Sequence, residues 1–116
     1  MPQSNLVTNV RFPASGVSVI DIEGEVTGFA ESIMTEAYNQ ATKDNPHSVL
    51  INFSKLEYMN SSGIGLLVTI LIRAQRQKIK LMACGLSEHY IQIFELTRLN
   101  EAIGIYATEA EALKAT

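Results

Sequence analysis

The segment Val49-Leu50-Ile51-Asn52-Phe53 is almost unbroken apolar chain, and it places the tightest limit on what this protein can fold into. A strand that is greasy on successive residues has both faces covered, as in parallel sheets flanked by helices. The chain just before it supplies such a helix. Ala30, Ile33, Met34, Ala37, Tyr38 and Ala41 recur at the spacing of one helical stripe, with Thr27-Gly28 before them and Asn45-Pro46 after. Upstream, Leu6 to Phe12 and Val17 to Glu23 flank Pro13-Ala14-Ser15-Gly16 and read as a strand pair around a turn. Downstream, Ser61-Ser62-Gly63 opens a helix from Ile64 to Gln77, and Lys80 to Cys84 is another strand. Gly85 and Ser87 lead into a helix reaching Thr97, with Tyr90, Ile93, Phe94 and Thr97 on one face. Gly104-Ile105-Tyr106 forms a last short strand and Glu109 to Ala115 a closing helix. Strands alternating with helices after an initial hairpin predict an α/β fold with a mixed sheet.

With 116 residues there is room for one domain only. An apolar fraction of 47% and a charged fraction of 18% exclude a disordered chain. Nine basic residues against twelve acidic ones, without a basic cluster, leave no footprint for nucleic acid or for an anionic membrane. Met1-Pro2-Gln3-Ser4-Asn5 lacks the features of a signal peptide, and the greasiest segment, Ile64 to Ile72, is too short to span a bilayer. The expectation is a cytoplasmic protein. Its lone cysteine, Cys84, has no disulfide partner in the chain and reads as a small buried hydrophobe at a strand end.

Catalytic chemistry is scarce. His47 and His89 lie far apart, and no His, Cys, Asp or Glu grouping has metal-ligand spacing. Gly63-Ile64-Gly65 lacks the third glycine of a dinucleotide fingerprint and the Lys-Ser/Thr of a phosphate loop. No nucleophile is paired with a base, so the expectation is a non-enzyme without metal or cofactor. What stands out instead is Tyr58-Met59-Asn60-Ser61-Ser62-Gly63-Ile64-Gly65, between a buried strand and an apolar helix. Either serine suits the helix cap. The same position also suits a phosphate, whose charge of about −1.5 to −2 would face the positive end of the helix dipole.

Gly24-Glu25-Val26, then Tyr58 to Gly65, then Gly85-Leu86-Ser87 and Phe94-Glu95-Leu96-Thr97-Arg98-Leu99 resemble, in order and spacing, the STAS family of bacterial anti-sigma factor antagonists. The resemblance implies a single STAS domain over residues 1–116, with its core at about 7–113. It also implies a non-enzymatic protein that binds a serine-kinase anti-sigma factor and thereby frees a sigma factor. The kinase would phosphorylate Ser61, with Ser62 as the neighbouring hydroxyl, and a protein phosphatase would restore binding. Three positions depart from the family pattern. Asn60 stands where the Asp before the acceptor is usual, Thr27 replaces an early-loop Asp, and Arg98 replaces a Gly in a turn. Asn60 keeps the hydrogen-bonding shape of Asp without its charge, which lowers repulsion of an added phosphate.

A helical projection of 64–77 puts Ile64, Leu67, Val68 and Leu71 on the sheet-facing side. Leu66 and Ile70 then point outward beside Thr69, Arg73 and Gln77. They are either scattered surface residues or part of a docking surface that includes Thr27, Asn60, Ser61, Ser62, Gly63, Leu66, Ile70 and Arg73. Two further readings remain. One is a STAS accessory subunit of an ABC-type transporter or lipid-trafficking complex, binding an ATPase subunit without obligatory phosphorylation. The other is a small α/β enzyme, for which no pair of titratable groups presents itself.

Overall fold

A computed structural model describes residues 5–116. The chain runs through β1 (Leu6–Ala14), β2 (Val17–Val26), α1 (Glu31–Ala41), β3 (Ser48–Met59), α2 (Ser61–Arg76), β4 (Lys80–Cys84), α3 (Glu88–Leu96), β5 (Gly104–Tyr106) and α4 (Glu109–Lys114). Short 3-10 turns occupy Gly28–Ala30 and Leu99–Glu101. The five strands form one sheet in chain order, β1 antiparallel to β2 and every later pair parallel. This is the α/β architecture with a mixed sheet that the apolar pattern predicts. The reading of Met1 to Ser4 as free of a leader lies outside the described residues.

Alternation across the central strands explains why their sequences look continuously greasy. Ile20, Ile22, Val49, Ile51, Phe53, Leu81 and Ala83 are buried in the main core with residues of α1, α2 and α3. Their neighbours Val19, Leu50, Met82 and Cys84 join Ala112 of α4 in a smaller second core, against which Tyr106 packs. The predicted stripe of α1 is the buried one, with Met34, Ala37, Tyr38 and Ala41 inside and Ile33 half-buried at the core edge.

Some boundaries differ from expectation. β1 runs on through Pro13 and Ala14, so only Ser15 and Gly16 form the turn. Pro13 is accommodated because β1 is an edge strand whose register shifts between Arg11 and Ala14. The larger difference is β3, which continues beyond Phe53 to Met59. It pairs with β4 only from Ser48 to Asn52, yet with β2 as far as Met59. The far half of β3 therefore overhangs β4, and this overhang leads into α2.

Candidate functional site

The corner between β3 and α2 is built around Asn60. Its backbone is extended, and its side-chain Oδ1 accepts a hydrogen bond from the Gly63 amide at 2.9 Å. Asn60 is thus the helix cap, correcting the expectation that one of the serines has that role. All three residue types cap well, so composition does not choose among them. Backbone contact with β2 decides. The Asn60 amide donates to the Val26 carbonyl at 3.3 Å, which fixes where the strand stops and the helix begins.

Gly63 is required by the same contact. A Cβ placed on it would lie 2.0 Å from the Val26 carbonyl oxygen and 2.9 Å from Met59 Cγ, so only a hydrogen allows α2 to sit this close to β2. Gly65, by contrast, has open space where a Cβ would go. Ser61 and Ser62 occupy the first turn of α2, both exposed, and neither hydroxyl has a hydrogen-bond partner among the described residues. That first turn holds no acidic side chain.

Two other elements approach this corner. On one side Thr27 caps the 3-10 turn through a hydrogen bond from the Phe29 amide to Oγ1, at 3.3 Å. A Cβ on Gly28 would be 3.4 Å from Ser62 Cβ, so the end of the β2–α1 connection lies against the second serine. On the other side, α3 and α2 border an open cavity of about 290 Å³ lined by Met59, Asn60, Ser61, Ile64, Ile93 and Thr97. Hence the structure brings Thr27, Asn60, Ser61, Ser62 and Gly63 to one corner.

It does not bring the rest of that reading together. Ile70 is only 4% exposed, and the buried arc of α2 is Gly63, Leu67, Ile70, Leu71 and Ala74. The helix is turned by about 60° from the projection expected from sequence. Apolar residues surround much of α2, so pattern alone does not fix its rotation; the buried arc includes the small Gly63 and Ala74, which the projection left out. Leu66 is half-buried against the core edge. Arg73 is engaged with α1, donating to Asn39 Oδ1 at 2.7 Å and lying 4.8 Å from the Tyr38 ring centre. Sequence reasoning gave no binding role to the exposed apolar groups Phe29 at 64% exposure, Tyr58 at 50%, and Leu96 of α3 at 85%. Leu96 and Phe29 lie outside the apolar stripes of their segments, and that is the signal that could have found them.

Charge is concentrated elsewhere, where α4 meets β1 and β2. Arg11 meets Asp21 through Nε and Nη2, at 2.6 and 2.8 Å, and Glu109 through Nη2 and Nη1, at 2.6 and 3.2 Å. Asn52 donates to Asp21 Oδ1 at 2.9 Å, and the Cys84 thiol points at Asn52 Oδ1. The Arg11 hydrogen bonds hold the Asp21 carboxyl below its ordinary range. Burial pushes the Cys84 thiol up to about 11, so it stays protonated and unreactive at neutral pH. These groups satisfy one another, which suits a structural tie. Among the described residues no cluster of His, Cys, Asp or Glu could hold a metal ion, and no helix is long and apolar enough to cross a membrane. His47 and His89 are exposed at a turn and on the first turn of α3.

Comparison with known proteins bears on the family and the fold. The "Anti-sigma-B factor antagonist" of Listeria monocytogenes is 26% identical over 92 residues, 79% of this chain and 81% of that protein. An anti-sigma factor antagonist from Mycobacterium paratuberculosis shares the fold at a TM-score of 0.81 and 22% identity, over 98% of this chain and 97% of that one. The phosphorylated form of the Bacillus cell fate determinant SpoIIAA superposes at 0.72 with 21% identity, over 94% and 98%. A sulfate transporter family protein from Wolinella succinogenes does so at 0.78 with 14% identity, over 90% and 88%. The family model described as "STAS domain" matches residues 13–112, from the end of β1 into α4. The chain belongs to the STAS domain family.

Proposed function

We propose that this protein is a cytoplasmic anti-sigma factor antagonist. In its unmodified form it binds a serine-kinase anti-sigma factor, and phosphorylation of Ser61 releases it. A protein phosphatase reverses the modification. The carrying observation is the division of roles at the start of α2: Asn60 supplies the cap, which leaves the Ser61 hydroxyl exposed and unpartnered beside an apolar cavity.

A phosphate on Ser61 would gain from the helix N-terminus and from the lack of acidic groups in the first turn. It would also set a doubly charged group at the mouth of a cavity lined by Met59, Ile64 and Ile93. Seating an apolar partner residue there becomes unfavourable, because burying an unpaired charge costs several kcal/mol, about 3–5 where a pair is broken. The modification thus opposes docking without touching the fold. The binding surface in this reading comprises Thr27, Asn60, Ser61, Ser62, Gly63 and the exposed part of Leu66; Ile70, being buried, is excluded. No acid–base pair is required, in keeping with a binding role and not an enzymatic one.

The test is intact-mass analysis after incubation with the cognate kinase and ATP, followed by capture of that kinase on immobilised protein. Wild type gains one phosphate and Ser61→Ala none, while Ser61→Asp loses kinase binding. A wild-type chain that takes no phosphate, or a Ser61→Asp chain that binds undiminished, defeats the proposal. The absence of acid at Asn60 and the fold shared with the Wolinella sulfate transporter family protein favour a second reading, an accessory subunit of an ABC-type transporter or lipid-trafficking complex. Co-purification with an ATPase subunit irrespective of the residue at 61 distinguishes it.

A further inference from the structure

The overhang of β3 leaves a hydrogen-bonding deficit beside Ser61. Between Phe53 and Met59 no strand pairs with the side of β3 that faces α3, since β4 stops its pairing at Asn52. Successive amides of a strand point to opposite sides. The Asn60 amide turns toward β2 and the Val26 carbonyl, so the Met59 amide points the other way. It is buried there, and it donates to the phenol oxygen of Tyr90 at 2.8 Å. An amide at this depth must find an acceptor. Tyr90, itself only 9% exposed, takes the place of the missing strand.

Tyr90 lies on the face of α3 that also carries Ile93 and Thr97, the far wall of the cavity that Ser61 lines. The residue two before Ser61 is thus tied to the same helix that faces Ser61 across the cavity. We propose that Tyr90 is a positioning residue for the acceptor: its hydroxyl fixes the height of the β3–α2 corner against α3, and so decides which serine is presented. This rests on the reading of Ser61 as the phosphorylated residue. A rigid corner presents Ser61, whereas a loosened one lets the adjacent Ser62 compete.

Tyr90→Phe removes one oxygen and keeps the ring, including its edge contact with His89. Two measurements test the proposal. Amide hydrogen exchange on the isolated protein is expected to quicken about tenfold at Met59, with Leu81 to Ala83 of β4 as an unchanged reference for the fold. Phosphorylation by the cognate serine kinase, with the phosphate located by fragmentation mass spectrometry, is expected to show kcat reduced about tenfold and the Ser61 to Ser62 ratio lowered at least threefold. Unchanged exchange at Leu81 to Ala83 separates such a change in ratio from general destabilisation. Unchanged exchange at Met59, or a freed Met59 with kcat and ratio intact, overturns the proposal. Should the wild type accept no phosphate at all, the acceptor reading falls. The exchange arm then decides the tether alone: faster exchange at Met59 and Ser61 upholds it, and unchanged exchange refutes it.

Discussion

The corner at Ser61 and the ionic tie at Arg11 are two polar regions of this molecule built on opposite rules. At Arg11 each charged group meets its complement, with two carboxylates sharing one guanidinium and an amide completing the set. At Ser61 the backbone is locked by Asn60, Gly63 and Tyr90, while the two hydroxyls have no partner among the described residues. The first region joins α4 to the hairpin and is chemically spent. The second is rigid in its main chain and vacant in its side chains, which is the condition for a surface that can be modified or bound. Fixed backbone and unsatisfied side chains are separable properties, and the Ser61 corner combines them where the Arg11 tie does not.

The contrast can be broken most forcefully at Gly63. Gly63→Ala forces a Cβ to within 2.0 Å of the Val26 carbonyl oxygen, and a loss of about 3 kcal/mol in urea unfolding is expected. Gly65→Ala, with open space around it, should gain up to about 1 kcal/mol. Equal effects at the two glycines would mean the corner is not clamped to β2.

Next in size is Arg11→Met. Its partners are about a third exposed, with side-chain exposures of 28% and 31%, so solvent screening limits the expected loss to about 1–2 kcal/mol. The pH dependence has a defined sign. Asp21 has a depressed carboxyl, so its contribution is full above the ordinary value of 3.8 and fades as pH falls through the depressed one. Urea midpoints at pH 7 and pH 3 should therefore drop more for wild type than for Arg11→Met, and parallel drops would remove Asp21 from the tie.

Asn60→Ala should cost about 1 kcal/mol, and Ser61→Ala less than about 0.5 kcal/mol. Thermal unfolding of the two variants separates cap from acceptor, and the reverse order would return the capping role to the serine. The smallest change concerns Arg98, whose φ of 62° lies in the left-handed region and whose contact with Glu101 is exposed and 3.8 Å long. Arg98→Gly relieves the backbone at little loss of charge pairing, for a gain of about 0.5 kcal/mol in the same assay.

Much of this molecule can be read from residue order, but in uneven measure. β4 and β5 begin and end where the apolar runs do, because each is short and bounded by turn residues. The second half of β3 escapes because Ser54, Lys55, Glu57 and Tyr58 are exposed and polar or amphipathic, and a strand overhanging its neighbour has no reason to be greasy throughout. The cap escapes because Asn60, Ser61 and Ser62 compete on equal chemical terms until β2 approaches. Ile70 escapes because rotation of an apolar helix is a tertiary decision. The Arg11–Glu109 contact joins residues 98 apart in the chain, and no local pattern encodes it. That these residues meet at one corner was legible; which of them caps the helix was not.

That assignment bears on how such proteins diversify. With Asn60 as the cap of α2, substitutions at Ser61 are expected to leave stability almost untouched, so under the proposed function a lineage would gain, lose or restore the acceptor without passing through an unfolded ancestor. Phosphate control, on that proposal, would be an option carried by the fold at negligible thermodynamic risk, open to rapid evolutionary turnover while the sheet beneath it stays fixed.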